Sequence, residues 1–135
     1  MPQEKPLEIL LVDDDERILN ANERLLAIIM NGKRYNIDKA LNGAAAMEKL
    51  EKKEHCDLIV TDFDMPIMNG AQFYRNLLAK KPELLGKVII MSGYGAGYVQ
   101  TQLAKEHIPA DKMPWVMDKS DFRLNIDYII KTYLS

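Results

Sequence analysis

Aliphatic residues stand next to one another in short runs along the chain. The runs at Leu7–Val12, Asp57–Asp62 and Lys87–Met91 scarcely alternate with polar residues, and a polar or turn-forming residue follows each of them. Such runs are typical of strands that are buried on both faces of a parallel sheet. Tyr35–Ala40 alternates enough to predict a second, less buried strand, and Pro114–Met117 predicts a fifth.

Between these runs, apolar residues recur every three to four positions, which is the period of an amphipathic helix. The predicted helices span Glu16–Met30, Ala44–Lys53, Ala71–Lys80, Tyr98–His107 and Asp121–Leu134. Strand and helix therefore alternate along the whole chain. This order predicts an α/β fold, a three-layer, doubly wound sandwich around a five-stranded parallel sheet with right-handed crossovers.

Chemically active side chains stand where four of the predicted strands end. Asp13 and Asp14 follow the first strand, and Asp62 closes the third. Ser92 follows the fourth strand and Lys119 follows the fifth. In an open parallel sheet, ligand and reaction sites collect just beyond the carboxyl ends of the strands. We therefore expect these side chains to converge on one edge of the sheet.

The residue types at this edge suit phosphoryl chemistry. Three adjacent acids, Asp13, Asp14 and Asp15, repel one another unless a cation lies among them, and carboxylate oxygens at a strand end suit Mg2+. Asp15 can also cap the following helix while its two neighbours turn inward. A metal ion and Lys119 would neutralise phosphoryl oxygens while Asp62 attacks phosphorus. The alternative interpretations are a helix-capping Asp62 and a solvated Lys119.

Length, composition and charge narrow the class of protein. The 135 residues fit one domain, and 47% hydrophobic with 28% charged residues permits a buried core. We assign residues 1–6 to an N-terminal tail and residues 7–135 to the domain. The net charge of -2 gives no basic surface for nucleic acid, and no apolar run approaches the roughly 18 residues that span a bilayer. We therefore expect a cytoplasmic protein that binds neither nucleic acid nor a membrane. We expect Cys56 to be a small buried side chain.

Taken together, the motifs resemble the response regulator receiver domains of two-component signalling. The resemblance covers nearly the whole chain. It rests on Leu11-Val12-Asp13-Asp14-Asp15, on Asp57–Pro66 with Asn69-Gly70, on Ile90-Met91-Ser92-Gly93, and on Lys119. Each motif is weak alone, whereas their order and spacing together are specific. The resemblance implies a flavodoxin-like sheet with strand order 2-1-3-4-5, which is the order known for this family.

The resemblance also implies a reaction. Asp62 would accept a phosphoryl group from a phosphohistidine on a sensor histidine kinase or a histidine phosphotransfer protein, as in a phosphorelay. Asp13, Asp14, Asp62 and the backbone carbonyl of Asp64 would hold Mg2+, and Lys119 would pair with the phosphoryl oxygens. Such a receiver catalyses its own phosphorylation and dephosphorylation, and it turns over no external substrate.

Signal output would begin at Ser92. Its side chain would move towards the new phosphate and shift the loop after the fourth strand, so that a downstream protein or a fused effector domain senses the change. Asp64 and Tyr94 occupy positions that influence phosphate lifetime in this family. The family's usual output face, formed by the fourth helix, fifth strand and fifth helix, would display Tyr98, Gln102 and Trp115.

Two positions depart from the family pattern. Val116 stands where the family commonly has Tyr or Phe, and Trp115 lies on the neighbouring position. Ser120 stands where the family prefers a proline after the lysine, usually with a cis peptide bond. A non-proline cis bond costs about 3 kcal/mol, so we expect either a trans bond with a re-routed loop or stored strain.

Two other functions remain open. A degenerate receiver would act as a phosphorylation-independent interaction module, although no key Asp or Lys is missing. A phosphatase of the haloacid dehalogenase type would use Asp62-Phe63-Asp64 as its D-x-D motif. That motif normally closes the first strand and requires more chain for a cap, so its position argues against this function.

Overall fold

Five strands form one parallel sheet in the computed structural model, which describes residues 5–134. The strands are β1 Leu7–Val12, β2 Tyr35–Ala40, β3 Leu58–Asp62, β4 Val88–Ser92 and β5 Trp115–Asp118. Their order in the sheet is 2-1-3-4-5, and every neighbouring pair is parallel. The predicted fold class and strand order are confirmed.

Helices cover both faces of this sheet. They are α1 Glu16–Ile29, α2 Gly43–Glu51, α3 Gly70–Lys80, α4 Ala96–Lys105 and α5 Phe122–Tyr133. Successive residues of a strand point to opposite faces, so each buried strand contributes to two cores. Leu10, Ile59 and Ile90 pack in the core under α2, α3 and α4. Ile9, Val60 and Ile89 pack in the core under α1 and α5.

Most predicted boundaries differ from the observed ones by one or two residues. The Asn42 side chain caps α2, and Gly43 is the first residue of that helix. Asp121 precedes α5, but its side chain makes no capping hydrogen bond. Helix α4 begins at Ala96, two residues before the predicted start.

The remaining expectations concern the ends of the chain and the cysteine. Residues 1–4 of the predicted tail lie outside the described residues, and Lys5 forms an ion pair with Glu54 at 2.9 Å. Within residues 5–134, no helix is both long and apolar enough to cross a membrane. Cys56 is buried, as predicted, and burial raises the pKa of its thiol to about 11.

Candidate functional site

The carboxyl edge of the sheet brings the predicted site residues together. Asp13 follows β1, Asp62 closes β3 and Ser92 closes β4, and each of the three side chains is buried. The strand register holds this arrangement, because β1 pairs with β3 and β3 pairs with β4 over their final residues. Lys119 follows β5 and reaches into the same place. The convergence expected from the parallel sheet is therefore observed.

Asp62 lies at the centre of this cluster. Its Oδ1 atom is 3.1 Å from the Lys119 ammonium nitrogen and 3.4 Å from the backbone N–H of Asp64. Burial raises the pKa of the Asp62 carboxyl, and this effect outweighs the lowering by the Lys119 hydrogen bond. Burial alone would lower the pKa of Lys119. The hydrogen bond to Asp62 and the neighbouring carboxylates more than offset this effect, so the pKa of Lys119 is raised. The site therefore holds an ammonium directly against the carboxylate of Asp62.

Three carboxylates at this edge could hold a metal ion. Oxygen atoms of Asp13, Asp14 and Asp62 lie within 4.8 Å of one another. One oxygen of Asp13 accepts a hydrogen bond from the backbone N–H of Asp15 at 2.9 Å, but the other has no partner among residues 5–134. Burial raises the pKa of Asp13 to about 6. A buried, unpartnered carboxylate oxygen beside two further acids fits a hard divalent cation such as Mg2+.

Of the three acids after β1, Asp13 and Asp15 lie as the sequence predicts, but Asp14 does not turn inward as expected. Asp15 caps α1, because its carboxylate accepts a hydrogen bond from the backbone N–H of Arg17 at 2.9 Å and binds the Arg17 guanidinium at 3.1 Å. Asp13 turns inward and is buried, whereas Asp14 is exposed although one of its oxygens reaches the cluster. A helix cap and a carboxylate cluster that could hold a cation therefore stand on consecutive residues.

Tyr94 links the loop after β4 to Asp64, a contact that the sequence did not predict. The Ser92 hydroxyl oxygen accepts a hydrogen bond from the backbone N–H of Tyr94 at 2.9 Å. The Tyr94 hydroxyl donates to a carboxylate oxygen of Asp64 at 3.2 Å, and this bond raises the pKa of Tyr94. Tyr94 also packs against Tyr98 with ring centres 5.2 Å apart. The sequence places Tyr94 two residues after Ser92, but it does not predict where the tyrosine ring points.

The loop after β5 forms a short 3-10 turn with a trans backbone. Every peptide bond between residues 5 and 134 is trans, including the bond from Lys119 to Ser120. Asp118 caps a short 3-10 turn over Lys119–Asp121, because its carboxylate accepts hydrogen bonds from the backbone N–H and the hydroxyl of Ser120 at 3.0 and 2.9 Å. This turn brings Lys119 to Asp62 without the proline that the family prefers. Of the two expectations for this loop, the trans bond is confirmed.

The side chains of β5 differ from those expected of the output face. Val116 packs into the core under α2, α3 and α4, so no aromatic ring occupies its position. Trp115 is half-buried on the other face, in ring contact with Tyr128 at 5.6 Å and with Tyr133 at 6.4 Å. Tyr98 is exposed, as predicted. No aromatic ring therefore stands at position 116, whereas the Tyr94 hydroxyl contacts Asp64.

The loop between β3 and α3 fixes the end of β3. The backbone N–H of Gly70 donates to the carbonyl of Phe63 at 2.7 Å. Asn69 and Gln72 form a reciprocal capping box at the start of α3. A Cβ atom on Gly70 would stand 2.9 Å from the Cα of Phe63 and 3.0 Å from the carbonyl oxygen of Asp62. Only glycine permits this close approach, which holds Asp62 and Asp64 in place.

Comparisons with known proteins agree with this architecture. The profile of the response regulator receiver domain matches residues 9–109. Transcriptional regulatory protein GlrR of Escherichia coli K12 is 32% identical over 92 residues, which cover 68% of this chain and 19% of GlrR. Response regulator receiver protein CpdR of Brucella abortus is 33% identical over 88 residues, which cover 65% of this chain and 68% of CpdR.

One solved structure is similar over almost its whole length. It is the receiver domain of a sensor histidine kinase from Pseudomonas aeruginosa, with a magnesium ion coordinated in its active-site cleft. The TM-score is 0.74 at 18% identity, covering 96% of this chain and 98% of that chain, which shows a shared fold. With the strand order, the converging strand ends and the matched profile, the chain belongs to the response regulator receiver domain family of two-component signalling.

Proposed function

We propose that Asp62 is a phosphoacceptor that receives its phosphoryl group from a phosphohistidine. One observation carries this proposal: the Asp62 carboxylate is buried at the end of β3, with the Lys119 ammonium at 3.1 Å and two further carboxylates within 4.8 Å. A carboxylate needs no general base to attack phosphorus. The neighbouring cation and acids supply the charge that such a transfer requires.

The acids at this edge would hold Mg2+ beside the reacting group. Asp13, Asp14, Asp62 and the backbone carbonyl of Asp64 are the candidate ligands. When bound, Mg2+ neutralises charge on the phosphoryl oxygens. The unpartnered oxygen of Asp13 supports this assignment, because a buried carboxylate oxygen otherwise loses the hydrogen bonds that water would give it.

The side chains of the site have separable parts in the transfer. An oxygen of Asp62 attacks phosphorus, the P–N bond to the donor imidazole breaks, and its electron pair returns to the imidazole nitrogen. The Lys119 ammonium, which contacts Asp62 before transfer, then also pairs with the phosphoryl oxygens. Ser92 donates its hydroxyl hydrogen to the new phosphate, which disturbs the backbone contact with Tyr94. The loop after β4 carries this change to α4.

The partners follow from this chemistry. We propose a sensor histidine kinase or a histidine phosphotransfer protein as donor, and a downstream protein or a fused effector domain as target. The matched segment spans only 19% of GlrR, so the activity of that whole protein does not pass to this chain. Nucleic acid and membrane stay outside the proposed partners, and the cytoplasmic location stays a prediction.

Acetyl phosphate tests the proposal without a partner protein. Intact mass is measured after incubation with acetyl phosphate and Mg2+, for the wild type, for Asp62→Asn and for Asp111→Asn, an exposed acid outside the site. We expect one added phosphoryl group on the wild type and on Asp111→Asn. We expect none on Asp62→Asn, and none in EDTA.

The degenerate receiver is the second candidate, because Val116 and Ser120 depart from the residues that the family commonly has at these positions. No added mass on a folded wild type, with a phosphohistidine donor also failing, would favour this interaction module. The phosphatase alternative has less support, since its motif would stand at the end of the third strand. Hydrolysis of a small phosphomonoester would restore it.

A further inference from the structure

Ile67 is held in a backbone conformation that isoleucine rarely adopts. Its φ angle is 71°, and the backbone N–H of Met68 donates to the carbonyl of Pro66 at 2.7 Å across it. This is a γ-turn with positive φ at its central residue, the rare and strained form. The left-handed region favours Gly, Asn or Asp, and a β-branched residue there is an outlier.

The surrounding structure imposes this turn. The Met68 side chain packs against Gly43, so closely that a Cβ on that glycine would stand 2.6 Å from the Met68 sulfur. The side-chain amide of Asn76 lies 3.4 Å from the same sulfur. The turn is therefore anchored to α2 and α3, and it presents its central side chain on a rigid support.

The Ile67 side chain itself contributes no burial. The residue is 101% exposed, although isoleucine is among the side chains most often found inside proteins. The Ile67 side chain therefore adds no buried apolar area to the folded state, while its strained backbone lowers the free energy of unfolding. A strained residue that the surrounding structure holds in place is a reason to look for function.

The turn lies on the edge through which Asp62 must be reached. Asp62 is buried, so a protein that brings a phosphohistidine to it must cover the loops around that edge. The Ile67 turn belongs to one of those loops. Two further apolar residues are exposed near the Ile67 turn. Pro66 precedes Ile67, and Leu41 lies in the loop before Gly43, the glycine against which Met68 packs. A small phosphodonor such as acetyl phosphate has no surface to place on them.

We propose that Ile67 is an apolar anchor for the phosphohistidine-bearing protein that donates to Asp62. This inference rests on the proposed function. An apolar side chain on a rigid turn loses little conformational entropy on binding, so it makes an efficient contact. Its removal slows transfer from the protein donor and leaves transfer from acetyl phosphate unchanged.

Three variants separate the anchor from the turn. Ile67→Asn removes the apolar side chain and suits the left-handed backbone. Ile67→Val keeps both the branching and most of the apolar surface. Leu124→Asn removes another exposed apolar side chain, 82% exposed against 101% for Ile67, from α5. Thermal unfolding of each variant checks that any slower transfer is not a loss of fold.

The donor is found by photocrosslinking in the cells from which the chain comes, with p-benzoylphenylalanine at position 67 or at position 124. The purified protein captured at position 67 is then phosphorylated and mixed with each variant. We expect transfer to Asp62 to fall about tenfold or more in Ile67→Asn, the size of an interface hot spot, and to stay within about twofold in the other two. Acetyl phosphate should label all three at the wild-type rate.

Three results would overturn the anchor. These are no capture at position 67, capture only of proteins that cannot phosphorylate Asp62, and equal transfer to Ile67→Asn and the wild type. If acetyl phosphate labels Asp62 in these cases, the phosphoacceptor stands and only the anchor is wrong. If acetyl phosphate and the captured donor both fail on the wild type, the proposed function itself is wrong.

Discussion

Asp13 has the least satisfied carboxylate of the site. One of its oxygens is buried without a partner, and two other acids lie close to it. Such a group opposes folding unless a cation compensates it. The proposed Mg2+ site would therefore come at a cost in stability, which is the trade expected where function and folding compete.

Neutralising this acid should stabilise the chain when no metal is bound. We predict that Asp13→Asn raises the free energy of unfolding in EDTA by about 1–2 kcal/mol, because it removes a buried like charge and adds an amide donor beside Asp62. Urea unfolding with and without Mg2+ measures this, and the variant should lose the stabilisation that Mg2+ gives the wild type. The exposed Asp14→Asn is the control and should gain less. A less stable Asp13→Asn would contradict the argument.

Cys56 should be nearly inert in the folded protein. Burial raises the pKa of its thiol from 9.0 to about 11, which lowers the thiolate fraction near pH 8 by about a hundredfold. We predict that a disulfide reagent labels the native chain at least about a hundredfold more slowly than the urea-unfolded chain. Absorbance at pH 8 follows the reaction. Native labelling within tenfold of the unfolded rate would show that the thiol is accessible.

At the scale of elements, the short connection from β3 to α3 positions the site. It places Gly70 against the backbone of Asp62 and Phe63, and it holds the Ile67 turn against its neighbours. Both features depend on backbone geometry more than on burial. Substitutions within this connection should therefore affect stability in opposite directions.

Gly70→Ala should be destabilising. The new Cβ would meet backbone atoms, which cannot move aside as a flexible side chain can, and we predict a loss of about 2 kcal/mol with slower labelling by acetyl phosphate. Gly97→Ala is the matched control, because a Cβ there meets nothing within 4 Å in α4. It should stabilise by about 0.5–1 kcal/mol. Equal effects in denaturant unfolding would contradict the steric reason.

Ile67→Asn should be stabilising. Asparagine tolerates the left-handed backbone, and the exposed isoleucine loses no buried contact, so we predict a gain of about 1 kcal/mol in the free energy of unfolding. Ile67→Val keeps the strain and should stay within about 0.5 kcal/mol of the wild type. Chemical denaturation measures both. A destabilised Ile67→Asn would show that the isoleucine serves the fold.

For the whole molecule, the sequence predicted the sheet and the residues at its carboxyl edge well. The unbroken apolar runs place strands, a parallel sheet requires their ends to meet, and Asp13, Asp62, Ser92 and Lys119 follow directly. Loop conformations could not be predicted in the same way. The Tyr94 bond to Asp64 depends on side-chain direction, which tertiary packing decides.

The same limit explains the other differences. Because Ser120 stands in place of a proline, the sequence is compatible with either a trans bond or a strained loop. The structure has the trans bond, in a turn that Asp118 caps. The positive φ of Ile67 runs against the preference of its residue type, so no local pattern could indicate it. The departures from sequence expectation thus cluster in the loops around Asp62, where local preference yields to the needs of the site.

The proposed phosphoacceptor is Asp62 itself, and this assignment can be tested directly. Borohydride reduces an aspartyl phosphate to homoserine, so peptide mass spectrometry after acetyl phosphate, Mg2+ and borohydride treatment locates the acceptor. We predict homoserine at position 62 in the wild type and in Asp111→Asn, and none when Mg2+ is withheld. Homoserine at another aspartate, or none after a confirmed gain of phosphoryl mass, would contradict it.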